Sequence, residues 1–147
     1  MLLDLELAKR AGGFDPKVRI AQDWILWLRV AQLTHAAYVP APLVRYRMRE
    51  GSLGSDVEER LRDCRNVIEE GLTMVRMSKP EKSALRRRAL SRSYNYAAIL
   101  ATANGQQAIA RRCSFSAFAY NPSTQTLKQV LKSLMGPERV RRFRRDQ

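Results

Sequence analysis

The sequence predicts a mainly α-helical chain: a short leading segment with two or three short strands and one tryptophan-rich helix, then a bundle of about four helices. Three observations carry this. Apolar residues recur at spacings of three and four over most of the chain beyond residue 56, which places them on one face of successive helices. Helix-ending signals then fall at Ser78-Lys79-Pro80, Asn104-Gly105, Asn121-Pro122 and Gly136-Pro137. Before residue 56 the pattern changes: two prolines and a stretch of alternating apolar and basic residues favour extended chain. The expected organisation is a leading segment over 1–55, a helical segment over 56–138 and a basic tail over 139–147.

Leu2 to Ala11 is short and apolar and ends at the Gly12-Gly13 break. Asp15-Pro16 marks a turn, because the ring of Pro16 fixes its own backbone and biases Asp15 away from helix. A helix is predicted over Asp23 to Leu33, with Trp24, Trp27, Leu28 and Ala31 forming one apolar stripe. Ala36 to Val39 and Leu43 to Met48 read as extended, separated by Pro40 and Pro42. Val44, Tyr46 and Met48 alternate with Arg45, Arg47 and Arg49, which suits a half-buried strand with one basic face.

The second segment opens on Ser55-Asp56 with Glu58 and Glu59 behind it, a capping pattern that sets acids at the positive end of a helix dipole. That helix is predicted to run to about Met77, and the next from about Glu81 to Asn104, with Leu85, Leu90, Tyr94, Ala97, Ala98 and Ala101 inward. Helices over about Gln106 to Tyr120 and Ser123 to Met135 follow. The small residues around Asn104-Gly105 suit an ordinary antiparallel hairpin; one hairpin makes no repeat.

With 147 residues, 45% of them hydrophobic, the chain is one domain in length and can bury a core. Its net charge of +13 is uneven. Residues 1–56 hold 8 basic and 6 acidic side chains, and the remainder holds 19 and 8, so +11 of the charge lies in the second segment. That excess favours a polyanionic partner, lipid head groups or nucleic acid, and is equally explained by solvated helix faces. Cys64 and Cys113 are too few and too far apart for a disulfide framework or a metal site, so a reducing cytosol is the default. No run of about 18 apolar residues is present to span a bilayer. Asp4 interrupts the opening Met-Leu-Leu-Asp-Leu-Glu where a signal peptide needs an unbroken apolar stretch, so no export is expected.

Residues Gly12 to Ser55, about a third of the chain, carry several motifs in order: Gly-Gly-Phe-Asp, Gln-Asp-Trp-Ile-Leu-Trp-Leu-Arg, Tyr-Val-Pro-Ala-Pro-Leu and Tyr-Arg-Met-Arg-Glu-Gly-Ser. This stretch resembles the acceptor-side, C-terminal part of a family 2 (GT-A type) glycosyltransferase. The resemblance implies an α/β ancestry, with Leu2 to Ala11 corresponding to a strand plus a brief helix. It implies transfer of a sugar from a nucleoside diphosphate sugar to a hydroxyl of a glycan or lipid-linked acceptor. Inverting transfer needs a base for the acceptor hydroxyl and a means of neutralising the departing diphosphate. The family's base corresponds to Asp23, and Gln22 stands where the family has a Glu. An Asp at this point also serves as a helix N-cap, and the two roles are compatible.

Gly12, Gly13, Phe14 and Asp15 correspond to the family's acceptor-side loop, and a structural turn accounts for the glycines equally well. Trp24, beside the base, can stack on a sugar, whereas the helical spacing of Trp27 suits a core position. Arg47, Arg49 and Ser52 match the family's Arg-x-His-x-x-Ser end, with Arg49 in place of the His. A guanidinium stays protonated and ligates no metal, but it can offset diphosphate charge; a solvated basic strand face is the alternative. The lone histidine, His35, follows the tryptophan helix without a ligand or acid at a useful spacing.

The family's nucleotide-sugar-binding N-terminal half, with its Asp-x-Asp metal site, has no counterpart here, and no Asp-x-Asp occurs in the chain. A divalent metal (Mn or Mg) is therefore expected for the intact enzyme only. The chain is expected to be inactive without the missing half, as a truncated product, as one half of a split enzyme with a separate donor-binding chain, or as a reused binding module. In the tail, Arg139, Arg141, Arg142, Arg144 and Arg145 surround Val140 and Phe143, a composition that suits an anionic membrane surface. The expected place is the cytoplasm, peripheral at the inner face of the membrane. The competing reading is a small basic helical nucleic-acid-binding or adaptor protein, favoured by charge and by Arg86-Arg87-Arg88 but lacking a recognisable reading motif.

Overall fold

The structure is a computed structural model and describes residues 2–45 and 56–135. It contains six helices: α1 (Leu5–Arg10), α2 (Gln22–Ala31), α3 (Val57–Met74), α4 (Lys79–Ala103), α5 (Gln107–Tyr120) and α6 (Thr124–Met135). Each of the four helices predicted beyond residue 55 is present, with ends displaced by up to three residues.

Local chemistry sets the ends. Asp4 accepts the Leu7 amide at 2.9 Å to start α1, and Asp56 accepts the Glu59 amide at 3.0 Å to start α3. Before α4, the amide and hydroxyl of Ser78 both donate to Glu81, at 2.9 and 2.6 Å. Pro80 falls in the first turn of that helix, where its missing N–H costs no helical hydrogen bond. At the other end Gly105 has φ +72°; its amide donates to the Thr102 carbonyl, and that of Gln106 to the Ala101 carbonyl. This pair of bonds closes a Schellman cap and turns the chain into α5.

The bundle core lies where α3, α4 and α5 meet, at Val57, Leu61, Ala97, Ala98, Ala101, Ala110 and Cys113. Small side chains dominate the α4–α5 seam, so the two helices approach closely. The approach is tied by the Ser91 hydroxyl, which donates to the Ala117 carbonyl at 2.8 Å, and by stacking of Tyr94 on Tyr120 at 5.6 Å. A second, smaller cluster joins α2 to α3 through Val18, Ala21, Ile25 and Val67, with Met74 alongside.

The expected strands are absent. Among the described residues there is no strand or sheet, so an α/β description of this chain is overturned. Within Leu2 to Ala11 the chain forms α1 and no strand, because Asp4 caps the helix and Gly12-Gly13 closes it. Residues 36–45 lack ladder partners, and Val44, expected to face inward, is 75% exposed. A strand needs a neighbouring edge to satisfy its backbone groups; none is at hand, and Pro40 and Pro42 bring no donor. The remainder of the second expected strand, 46–48, lies outside the described residues.

The inward stripe of α2 also differs. Ile25, Leu26 and Val30 are buried, while Trp24, Trp27 and Leu28 are exposed at 46%, 41% and 36%. Both stripes have helical spacing. The one carrying Ile25 wins because it continues Val18 and Ala21 onto Val67 of α3.

Candidate functional site at the start of α2

The glycine pair of the expected acceptor loop is a helix terminator. Gly12 and Gly13 both have positive φ, +89° and +66°, and their amides donate to the carbonyls of Lys9 and Ala8 at 2.9 Å each. This is again a Schellman cap, here ending α1. Phe14 follows, 62% exposed.

Asp15 is a tie between elements. One carboxylate oxygen accepts the Lys17 amide at 3.0 Å and the other lies 3.4 Å from the Arg29 guanidinium. The hydrogen bond from Lys17, and then Arg29, hold its carboxyl below the usual value for an aspartate. Arg29 in turn pairs with Glu70 of α3 at 2.8 Å, which raises the guanidinium's own pKa. A chain of charge thus runs from the turn after α1, through α2, to α3.

A second anchor escaped the sequence reading. Asp63 of α3 is 3% exposed, and a single carboxylate oxygen accepts the amides of Arg19 and Ile20 at 2.8 Å each. These residues lead directly into α2. The Arg19 guanidinium adds a bond to Glu59 at 3.1 Å. A signal existed in the sequence: Asp63 is a carboxylate set between Leu61 and Cys64 on the inward side of an amphipathic helix, where an acid needs donors.

On this platform Gln22 donates to the Arg19 carbonyl at 3.0 Å. Asp23 occupies the first turn and is half-buried, and its Oδ1 accepts the Trp24 amide at 3.0 Å. The N-cap of α2 is Ala21, so Asp23 does not fill the capping role that its sequence position suggested. Its carboxylate lies at the positive end of α2 without a guanidinium or ammonium bonded to it among the described residues. Beside it stand the exposed indoles of Trp24 and, one turn on, Trp27. Asp15 and Asp23 are therefore held apart in role: the first is engaged by Arg29, the second accepts the Trp24 amide.

Arg47, Arg49 and Ser52, and the tail from Arg139 to Arg145, lie outside the described residues. Among the described residues no three His, Cys, Asp or Glu side chains gather as metal ligands. A separate cleft of about 470 Å³ in the bundle is lined by Glu58, Leu61, Arg62, Arg65, Tyr94 and Arg112. Its guanidinium groups are engaged within the protein: Arg65 with the Tyr94 hydroxyl, Arg112 with Glu58 and Arg62 with Glu59.

No protein-family model, curated protein or solved structure matches this chain.

Proposed function

We propose that this chain supplies the acceptor-side part of a sugar-transferring enzyme of the family 2 glycosyltransferase type, with Asp23 as the base. The observation that carries the reading is the first turn of α2: a half-buried carboxylate without a cationic partner among the described residues, next to two exposed indoles on a doubly anchored helix. Indole faces stack on the C–H surface of a sugar ring, and a neighbouring carboxylate takes the proton of the hydroxyl that attacks. The acceptor oxygen bonds to the anomeric carbon as the bond from that carbon to the diphosphate breaks, and the nucleoside diphosphate departs with the electron pair. Asp63 and Arg29 position the helix that carries the base, and neither touches the reacting atoms in this scheme.

Exposed apolar surface supports a need for further protein. Among the described residues, eleven of the nineteen large hydrophobic side chains that stand exposed, from Leu2 to Val44, belong to the leading segment, which has few described neighbours to cover them. Among the described residues no three His, Cys, Asp or Glu side chains gather, and no step is assigned to a metal. Donor binding belongs to a complementary half.

The test is sugar transfer by the native protein isolated from its source with its associated chains, using labelled nucleoside diphosphate sugars and a membrane glycan fraction as acceptor. Asp23→Asn is expected to lower turnover by about 10²- to 10⁴-fold while leaving nucleotide-sugar binding intact. Turnover unchanged by that substitution, or absent from the native preparation, would overturn the proposal.

A further inference from the structure

The burial pattern of α6 is inverted. The face it turns to the bundle consists of Thr126, Gln129, Val130 and Ser133, all buried. Leu127, Leu131, Leu134 and Met135 stand outward, at 46%, 52%, 50% and 41% exposure. Their spacing of four, three and one aligns them as a single apolar stripe.

Hydrogen bonds fix this rotation. The Thr126 hydroxyl donates toward the Asn121 carbonyl at 3.1 Å, and its amide donates to the Ser123 hydroxyl at 3.2 Å. The Ser133 hydroxyl donates to the Val130 carbonyl at 2.7 Å, and the Ser133 carbonyl accepts from Gln107 and from Arg111 of α5. The bonds within α6 and its first turn satisfy Thr126 and Ser133 where they are buried; rolling the leucines inward would break the two bonds from α5 to the Ser133 carbonyl.

Charge narrows the choice of what covers the stripe. No acid occurs in α6, and Lys128 and Lys132, both exposed, directly follow Leu127 and Leu131. The sequence after it, residues 136–147, adds five Arg against two acids. A second copy docking by this face would bring lysines to lysines, without acids on α6 to match them. An anionic surface has the complementary charge and an apolar interior for the leucines.

We propose that α6 is an interfacial membrane anchor, lying in the plane of an anionic bilayer with Leu127, Leu131, Leu134 and Met135 below the head groups and Lys128 and Lys132 reaching phosphates. Its twelve residues make about 18 Å of contact, and no described helix is long and apolar enough to cross a bilayer, so the attachment is peripheral. The inference rests on α6 and the basic sequence that follows it, and is independent of sugar transfer.

The experiment is co-sedimentation of the full chain with vesicles of phosphatidylcholine alone and of phosphatidylcholine with about a third phosphatidylserine. Binding to the anionic vesicles is expected. Leu131→Ser combined with Leu134→Ser should weaken it at least about tenfold with helix content and thermal midpoint unchanged, since both side chains are already exposed. Lys128→Glu combined with Lys132→Glu, which leaves the stripe intact, should also weaken binding to anionic vesicles. Absence of binding to anionic vesicles would overturn the proposal. So would undiminished binding by the serine variant, which assigns attachment to basic charge alone. A wild-type dimer in sedimentation velocity that the serine variant dissociates would give the stripe to a second copy and also overturn it.

Discussion

Replacing Asp63 by alanine removes the acceptor on which the approach to α2 is built. Two amides, those of Arg19 and Ile20, lose a carboxylate partner at 2.8 Å. Hydrogen bonds to a charged group contribute about 1.5–3 kcal/mol each. Two of them set a gross loss of about 3–6 kcal/mol in that range. Relief of a buried carboxylate and access of water to the part-buried amides offset some of it, leaving about 2–4 kcal/mol. The loss falls on the contact between the leading segment and α3, because the small-residue seam of α4 and α5 does not involve Asp63. At 1.4 kcal/mol per tenfold, the opening equilibrium of this segment rises by about 30-fold or more. Amide hydrogen exchange followed by NMR reads it directly: Arg19, Ile20 and the amides of α2 should exchange faster by that factor, while those of Ala97 to Ala101 hold their rates. Asp63→Asn, which keeps one acceptor oxygen, should fall between. Unchanged exchange at Arg19 and Ile20, or acceleration spread evenly over both clusters, would refute the view of Asp63 as the anchor of α2.

Two further outcomes follow from packing and burial. Gly71 lies inside α3, and a Cβ there would stand 3.1 Å from Cδ1 of Leu28. Glycine inside a helix costs about 1 kcal/mol against alanine, and Leu28 is partly exposed and can turn outward, so Gly71→Ala should stabilise by about 0.5 kcal/mol in urea denaturation. A loss above about 1 kcal/mol would mean that Leu28 has no room to yield. Cys64 and Cys113 are 5% and 0% exposed, and burial pushes both thiols up from their ordinary value. A raised folded-state pKa leaves stability intact below the unfolded thiol's value of about 8.5 and removes it as pH climbs through the folded values. Urea midpoints should therefore stay level from about pH 7 to 8 and decline above about 9, a decline that Cys64→Ala with Cys113→Ala reduces. Neither thiol should react with Ellman's reagent before unfolding, and rapid native-state reaction would contradict the packing.

The sequence by itself determined the helical segment. Asp56, Ser78 with Glu81, and Asn104-Gly105 are local signals whose partners lie within a few residues, so the start of α3, the start of α4 and the turn into α5 could be read without knowledge of the fold. Asp15-Pro16 as a turn and the helix that holds Asp23 were legible for the same reason.

Tertiary structure alone decided the rest, because each choice depended on a distant partner. Residues 36–45 have the composition of strands, but a strand exists only against another edge, and among the described residues they find none. The tryptophan stripe and the Ile25 stripe of α2 are both helical in period; only the presence of Val67 on α3 selects the second and leaves the indoles outside. The role of Asp63 rests on amides 43 and 44 residues away. The outward leucines of α6 run against the ordinary rule of apolar residues inside, because Asn121, Gln107 and Arg111 satisfy its polar face. Periodicity gives the faces of a helix, and only the surrounding chain determines which of them is covered.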